Sequence, residues 1–186
     1  MVAVKLPKDV PPAVLTYAIQ EACRRFANES RVWRSELDAI DVVADQQDYD
    51  LSASIPDNSE IVRFDSVEVD DGEWPIARRR LAPGNILHFD ENYAPTEAST
   101  GGLEVDVRLV PELVDDALPD GICSLWRDGI VAAAVSSLAG TENRPYTDPK
   151  TEAKYEAIFI YEASKARYAN ETGGNKAEVF MRPVVF

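Results

Sequence analysis

The chain has 186 residues, is 45% hydrophobic and 28% charged, and carries a formal net charge of -14, a balance that supports a folded core and excludes wholesale disorder. Acids outnumber Lys and Arg 33 to 19, which excludes the basic footprint of a conventional nucleic-acid binder. No run approaches the roughly 20 apolar residues of a bilayer span, and the N-terminus MVAVKLPKDVPP lacks the apolar core of a signal peptide, so cytosolic synthesis without a membrane partner is expected.

Pro11 and Pro12 open the first element. Proline suits the first turn of a helix, where its missing N–H would have no partner. Val14, Leu15, Ala18, Ile19, Ala22, Cys23 and Phe26 follow at spacings of three and four, which predicts an amphipathic helix over 12–30. Arg24, Arg25, Arg31 and Arg34 form a positive rim at its C-terminal end, matching the helix dipole, and Trp33 stands at the exit.

From Leu37 the apolar period changes to two. AIDVVADQQDYDLS and EIVRFDSVEVDDGEWPIARRR alternate apolar and acidic residues, predicting a small, mostly antiparallel sheet over about 37–112. Asp71-Gly72 predicts a two-residue hairpin turn. Ile86–Phe89 and Leu103–Val110 read as further strands, separated by a loop over 92–102 that is rich in small polar residues and expected to be exposed and mobile. Thirteen acids and one base, Arg63, lie between Glu36 and Glu73. Asp70, Asp71 and Glu73 lack EF-hand spacing, so the turn is favoured over a metal site.

LPDGICSLWRDGIVAAAVSSLAG predicts a helix over about 118–140. Ile122, Leu125, Trp126, Ile130 and Leu138 make its apolar stripe, Gly129 and Ala132 to Ala134 keep it thin, and Gly140 stops it. Asp148 then caps, and Pro149 opens, a last helix over about 149–172. Its apolar positions are Ala153, Ala157, Ile158, Phe159, Ile160 and Ala163, with Tyr155, Tyr161 and Tyr168 in addition. Gly173-Gly174 releases a tail over 173–186 whose tip is Val179, Phe180, Met181, Arg182, Pro183, Val184, Val185 and Phe186. So apolar an end is unusual, because chain ends are normally polar and frayed. The expected fold class is α+β: a helical bundle of about three main helices with an inserted antiparallel region, forming a single domain over 1–172, and an extended C-terminal arm.

Chemistry is sparse. Cys23 and Cys123 have no metal spacing and are expected to pack as buried thiols. His88, in ILHFD, has no nucleophile partner at a recognisable spacing, and there is no P-loop, G-x-G-x-x-G or zinc-ligand set. No catalytic, cofactor-binding or metal residue is therefore assigned. The carboxylates could supply a pair for glycoside hydrolysis, which requires one carboxyl of raised pKa in a partly apolar cleft. Trp33, Trp126, Tyr146 and Tyr155 lack the interleaved bases of a stacking platform for single-stranded nucleic acid. Packing is the better role for them, and Trp33, Trp126 and Tyr146 are the candidates for a subunit interface.

Read in order, three stretches resemble one family. AIQEACRRFANESRVWRSEL is similar to its first helix, and DQQDYDLSASIPDNSEIVRFDSVEVDDGEWPI to its Tyr-Asp-Leu strand and following hairpin. LPDGICSLWRDGIVAAAVSSLAGTENRPYTDPKTEAKYEAIFIYEASKAR is similar to its paired helices and their Pro-aromatic-x-Asp-Pro linker, here Pro145 to Pro149. The chain thus resembles the head-to-tail adaptor (head-completion, or connector) proteins of tailed bacteriophages. Tyr146 stands where tryptophan is commoner, and the 92–102 loop has no counterpart. The resemblance implies a virion neck protein: a homo-oligomeric ring, commonly of twelve subunits, docked beneath the portal protein and joined to downstream tail or neck proteins. It also implies a channel through which DNA passes without specific binding, and a C-terminal arm, here ending in Val179 to Phe186, that reaches the portal. Acidic residues along such a channel would repel phosphates, and the apolar tip would gain its burial on another protein. Competing readings are a stopper or tail-terminator ring, a carboxylate-dependent cell-wall glycoside hydrolase, and a free-standing cellular domain whose tail packs on its own body.

Overall fold

Four helices and eight strands are found among residues 10–70, 72–73, 79–112 and 118–172, the parts of the chain described in the computed structural model. The fold is α+β with small antiparallel sheets. The chain divides into two compact units: a helical one from residues up to Val32 and from Pro111 onward, and a β-rich one over Trp33–Val110.

In the helical unit, α1 (Pro12–Ser30) runs over the span its periodicity predicts, with Ala18, Ala22, Cys23, Phe26, Ala27 and Ser30 on its buried side. It ends as Arg31 takes a left-handed conformation (φ 56°) and donates its N–H to Ala27 O at 2.9 Å. The single helix expected over 118–140 is instead two, α2 (Asp120–Leu125) and α3 (Arg127–Ala139), separated at Trp126 (φ -115°, ψ 24°). No proline forces the break. Asp128 and Gly129 just beyond it are weak helix formers, and the departure lays the Trp126 ring against Phe26, 6.3 Å between centroids.

α3 is buried over Gly129, Ile130, Ala132–Ser136, Leu138 and Ala139, and α1 and α4 (Pro149–Glu171) both pack on it and on each other. Its small residues make this possible. A Cβ on Gly129 would lie 2.5 Å from Phe26 Cε2 and 3.0 Å from Glu162 Cβ, so hydrogen is the largest group the crossing tolerates. Gly140 ends α3 as expected, in a right-handed conformation (φ -81°), and donates its N–H to Ser136 O at 2.9 Å. It also provides room, since a Cβ there would meet Glu152 Oε1 at 2.7 Å. Asp148 caps α4 as expected, accepting from Lys150 N and Thr151 N. Its pKa falls below the usual carboxylate range, chiefly through the Thr151 hydroxyl.

In the β-rich unit, β8 (Ser99–Pro111) is the spine: β1 (Arg34–Glu36) and β2 (Ile40–Val42) pair with it, and β4 (Ser59–Val69) lies between β8 and β5 (Gly72–Glu73). Leu103, Val105, Val107 and Leu109 point inward, alternating with polar residues, as a half-buried strand requires. β8 begins inside the expected 92–102 loop, because Gly101 (φ 65°) and Gly102 let the chain turn into the ladder, where Asp41 accepts from Gly101 N at 2.8 Å. The hairpin turn falls one residue earlier than expected. Val69 pairs with Gly72, so Gly72 belongs to the strand, and Asp70 takes the positive φ of 50°. A second sheet of β3 (Asp48–Asp50), β7 (Ile86–Phe89) and β6 (Arg79–Ala82) is held by Tyr49 edge-on to Phe89.

Gly129→Ala is expected to lower unfolding free energy by about 1–3 kcal/mol through overpacking, although alanine is the better helix former. Gly121→Ala, at a position where a Cβ meets nothing within 4 Å, should be neutral or slightly stabilising. Urea unfolding of the two variants measures the difference.

Candidate functional site

The expected site residues fall in three places. The tip, Val179 to Phe186, lies outside the described residues. Trp33 (8% exposed) and Tyr146 (7%) are covered by the fold of a single copy. Tyr146 packs with Ala18 and Leu138, and the Trp33 carbonyl accepts from Leu109 N at 2.9 Å. Trp126 is half-buried against Phe26, with Lys165 Nζ 5.5 Å from its ring.

An open cavity of about 460 Å³ lies among α1, α3 and α4, lined by Glu21, Arg25, Ser136, Glu152 and Glu156 among others. Its chemistry centres on one carboxylate. Arg25 makes a two-pronged contact with Glu156, Nη1 to Oε2 at 3.0 Å and Nη2 to Oε1, while Ser136 Oγ donates to Oε2 at 2.9 Å. Arg25 also lies over the Phe159 ring, its Cζ 4.2 Å from the centroid, a cation–π contact. The Arg25 hydrogen bond outweighs desolvation and holds Glu156 below the usual carboxylate range. Such a group stays ionised and is a poor proton donor, whereas a glycosidase acid needs the opposite shift. Asp50 and Asp148 also shift downward. Among the described residues no cluster of three metal-ligating side chains occurs, and no helix is long and apolar enough to cross a membrane. His88 pairs through Nδ1 with Asp48 Oδ1 at 2.6 Å across the β3–β7 ladder.

Two surface features remain. On α4, Phe159, Ala163 and Ala166 face inward, yet Ile160 is 55% and Tyr161 42% exposed, with exposed Ala153 and Ala157 at helical spacing from them. The sequence signal for this second face was present: Ile158, Phe159, Ile160 and Tyr161 are consecutive, and four successive positions sweep about 300° of a helix, too much for one buried side. Leu125, expected in an inward stripe, is 72% exposed. The other feature is charge. Eighteen acids and six arginines of Trp33–Val110 give the β-rich unit -12, leaving only -2 of the total -14 elsewhere. Part of it is offset locally: Arg108 Nε pairs with Asp65 at 2.5 Å, and Arg34 with Asp106.

No protein-family model matches the chain, and no curated protein sequence does either.

Glu156→Gln should cost about 1 kcal/mol at neutral pH, the modest value of a part-exposed pair. Because the folded pKa of Glu156 is lowered, its contribution is complete above the unfolded value of about 4.3 and is lost as pH falls through the folded value. The gap between wild type and variant in chemical denaturation should therefore be flat from pH 6 to 8 and close below about pH 4.

Proposed function

We propose that this protein is a head-to-tail adaptor of a tailed bacteriophage virion, a subunit of a ring that sits beneath the portal, joins capsid to tail and surrounds the path of the DNA. The observation that carries the reading is the second apolar face of α4, with Ile160 and Tyr161 exposed on a helix whose other side is already buried. A contiguous apolar face on a folded unit marks an interaction surface, and a side-by-side heterologous contact repeated around an axis closes a ring. Two further features support it. The -12 of the β-rich unit has the sign for a DNA conduit and the wrong sign for a clamp. The chain also carries the apolar tip Val179 to Phe186, separated from α4 by Gly173-Gly174, as a docking arm for the portal requires.

Deleting residues 175–186 is expected to leave the melting temperature unchanged and abolish co-sedimentation with a purified portal ring. A large loss of stability in the truncated protein would instead assign the tail to its own core and remove the docking role. The double variant Ile160→Glu/Tyr161→Glu, charging an exposed face, should fold normally and fail to form rings by native mass spectrometry or electron microscopy. Rings formed by that variant would overturn the α4 contact.

A further inference from the structure

The outer stripe of α4 carries charge of one sign. Lys150, Lys154, Ala157 and Tyr161 follow at spacings of four, three and four, which places them on one side of the helix, and all four are exposed. Exposed Ile160 stands beside them. Neither lysine is within ion-pair distance of a carboxylate among the described residues. Glu152 and Glu156, each two residues on from one of the lysines, turn to the other side of α4 and line the cavity among α1, α3 and α4. There Arg25 pairs with Glu156, while Glu21 and Glu152 have no cation within ion-pair distance among the described residues. The cavity holds about 460 Å³, many times the roughly 30 Å³ share of one water. Tyr17, 57% exposed, lies four residues before Glu21 on α1 and so on the same face.

We propose that these two surfaces are the two halves of the ring contact: the Lys150–Lys154–Tyr161 stripe of one copy covers the cavity mouth of the next, its lysines on Glu21 and Glu152 and its Tyr161 and Ile160 against Tyr17. Resting on the ring reading above, this contact gives α4 its mate. Charge decides which mate. Two lysine stripes facing each other would oppose like charges, which disfavours a two-fold pairing of α4 with α4. The cavity mouth offers the opposite sign, two carboxylates for two lysines, beside an aromatic side chain. Aromatic residues within a polar, charged rim are the usual anatomy of a specific contact. Because the two surfaces differ and lie on separate sides of α4, the contact repeats head to tail, the arrangement that generates a ring when its rotation closes. Both surfaces belong to the helical unit, so the contact asks nothing of the acidic β-rich one. Ion pairs enclosed at a cavity mouth are also screened by salt less than exposed ones.

Charge reversal in the full-length chain, read by native mass spectrometry, tests the match. Lys150→Glu/Lys154→Glu and Glu21→Lys/Glu152→Lys should each stay monomeric at concentrations at which wild type assembles, with association weakened at least about tenfold. Mixed in equal amounts the two variants should assemble, because every junction then joins opposite charges, and the copies should alternate strictly. Rings from either variant alone, as tight as those of wild type, overturn this contact and leave the ring reading standing. A wild type that stays monomeric both alone and with a portal ring overturns both. A mixture that stays monomeric while each variant keeps the wild-type melting temperature overturns the match. A second measurement needs no variant: carbodiimide applied to wild-type assemblies of isotope-labelled and unlabelled copies should join Lys150 or Lys154 to Glu21 or Glu152 across copies. Cross-links between copies that avoid these four residues overturn the contact.

Discussion

The helical unit rests on how closely α1 and α4 can approach α3. Gly129 sits where Phe26 of α1 and Glu162 of α4 converge, with no room for a methyl group, and Ala132, Ala133 and Ala134 continue the thin face. Close approach has an electrostatic complement. It brings Arg25, Ser136 and Glu156, one from each helix, to a single carboxylate. The pair is half-exposed and contributes little net stability. Its fork geometry does more to set the rotation of α4 about its axis, since a two-pronged contact tolerates little misalignment. That rotation turns Phe159 inward, and with Phe159 fixed, Ile160 must face out.

Much of this was legible in the sequence, for local reasons. The Pro11-Pro12 start of α1, the Asp148-Pro149 start of α4 and the β7 strand are written in residues that act within one turn of where they stand, and all three stand where their chemistry predicts. The errors are tertiary. Trp126 breaks a continuous apolar pattern because a ring contact with Phe26, a hundred residues upstream, competes with helix propagation. Gly140 ends α3 where its place after the apolar run predicts, but its second use, as a clearance for Glu152, is one that no local pattern encodes. The hairpin slipped by one because Asp70 accepts positive φ, as aspartate can, leaving Gly72 to pair with Val69. The candidate cavity was least legible of all, since Arg25, Ser136 and Glu156 are brought together only by the packing of three helices.

The division of charge bears on which surface could bring copies together. A unit of -12 placed beside another of the same sign is repelled over the roughly 8 Å Debye length of physiological salt, so the β-rich units of neighbouring copies gain nothing from proximity. The remainder of the chain carries only -2 and presents Ile160 and Tyr161 to solvent. In a ring, the near-neutral apolar surface is then the adhesive part and the acidic surface the part that resists it. Such opposition has a use: it penalises contacts that bury the acidic face, narrowing the ways two copies can meet. Salt discriminates between the two contributions. Screening weakens the repulsion while leaving apolar burial in place, so an assembly held by the α4 face should tighten as ionic strength rises, whereas one held by ion pairs should loosen.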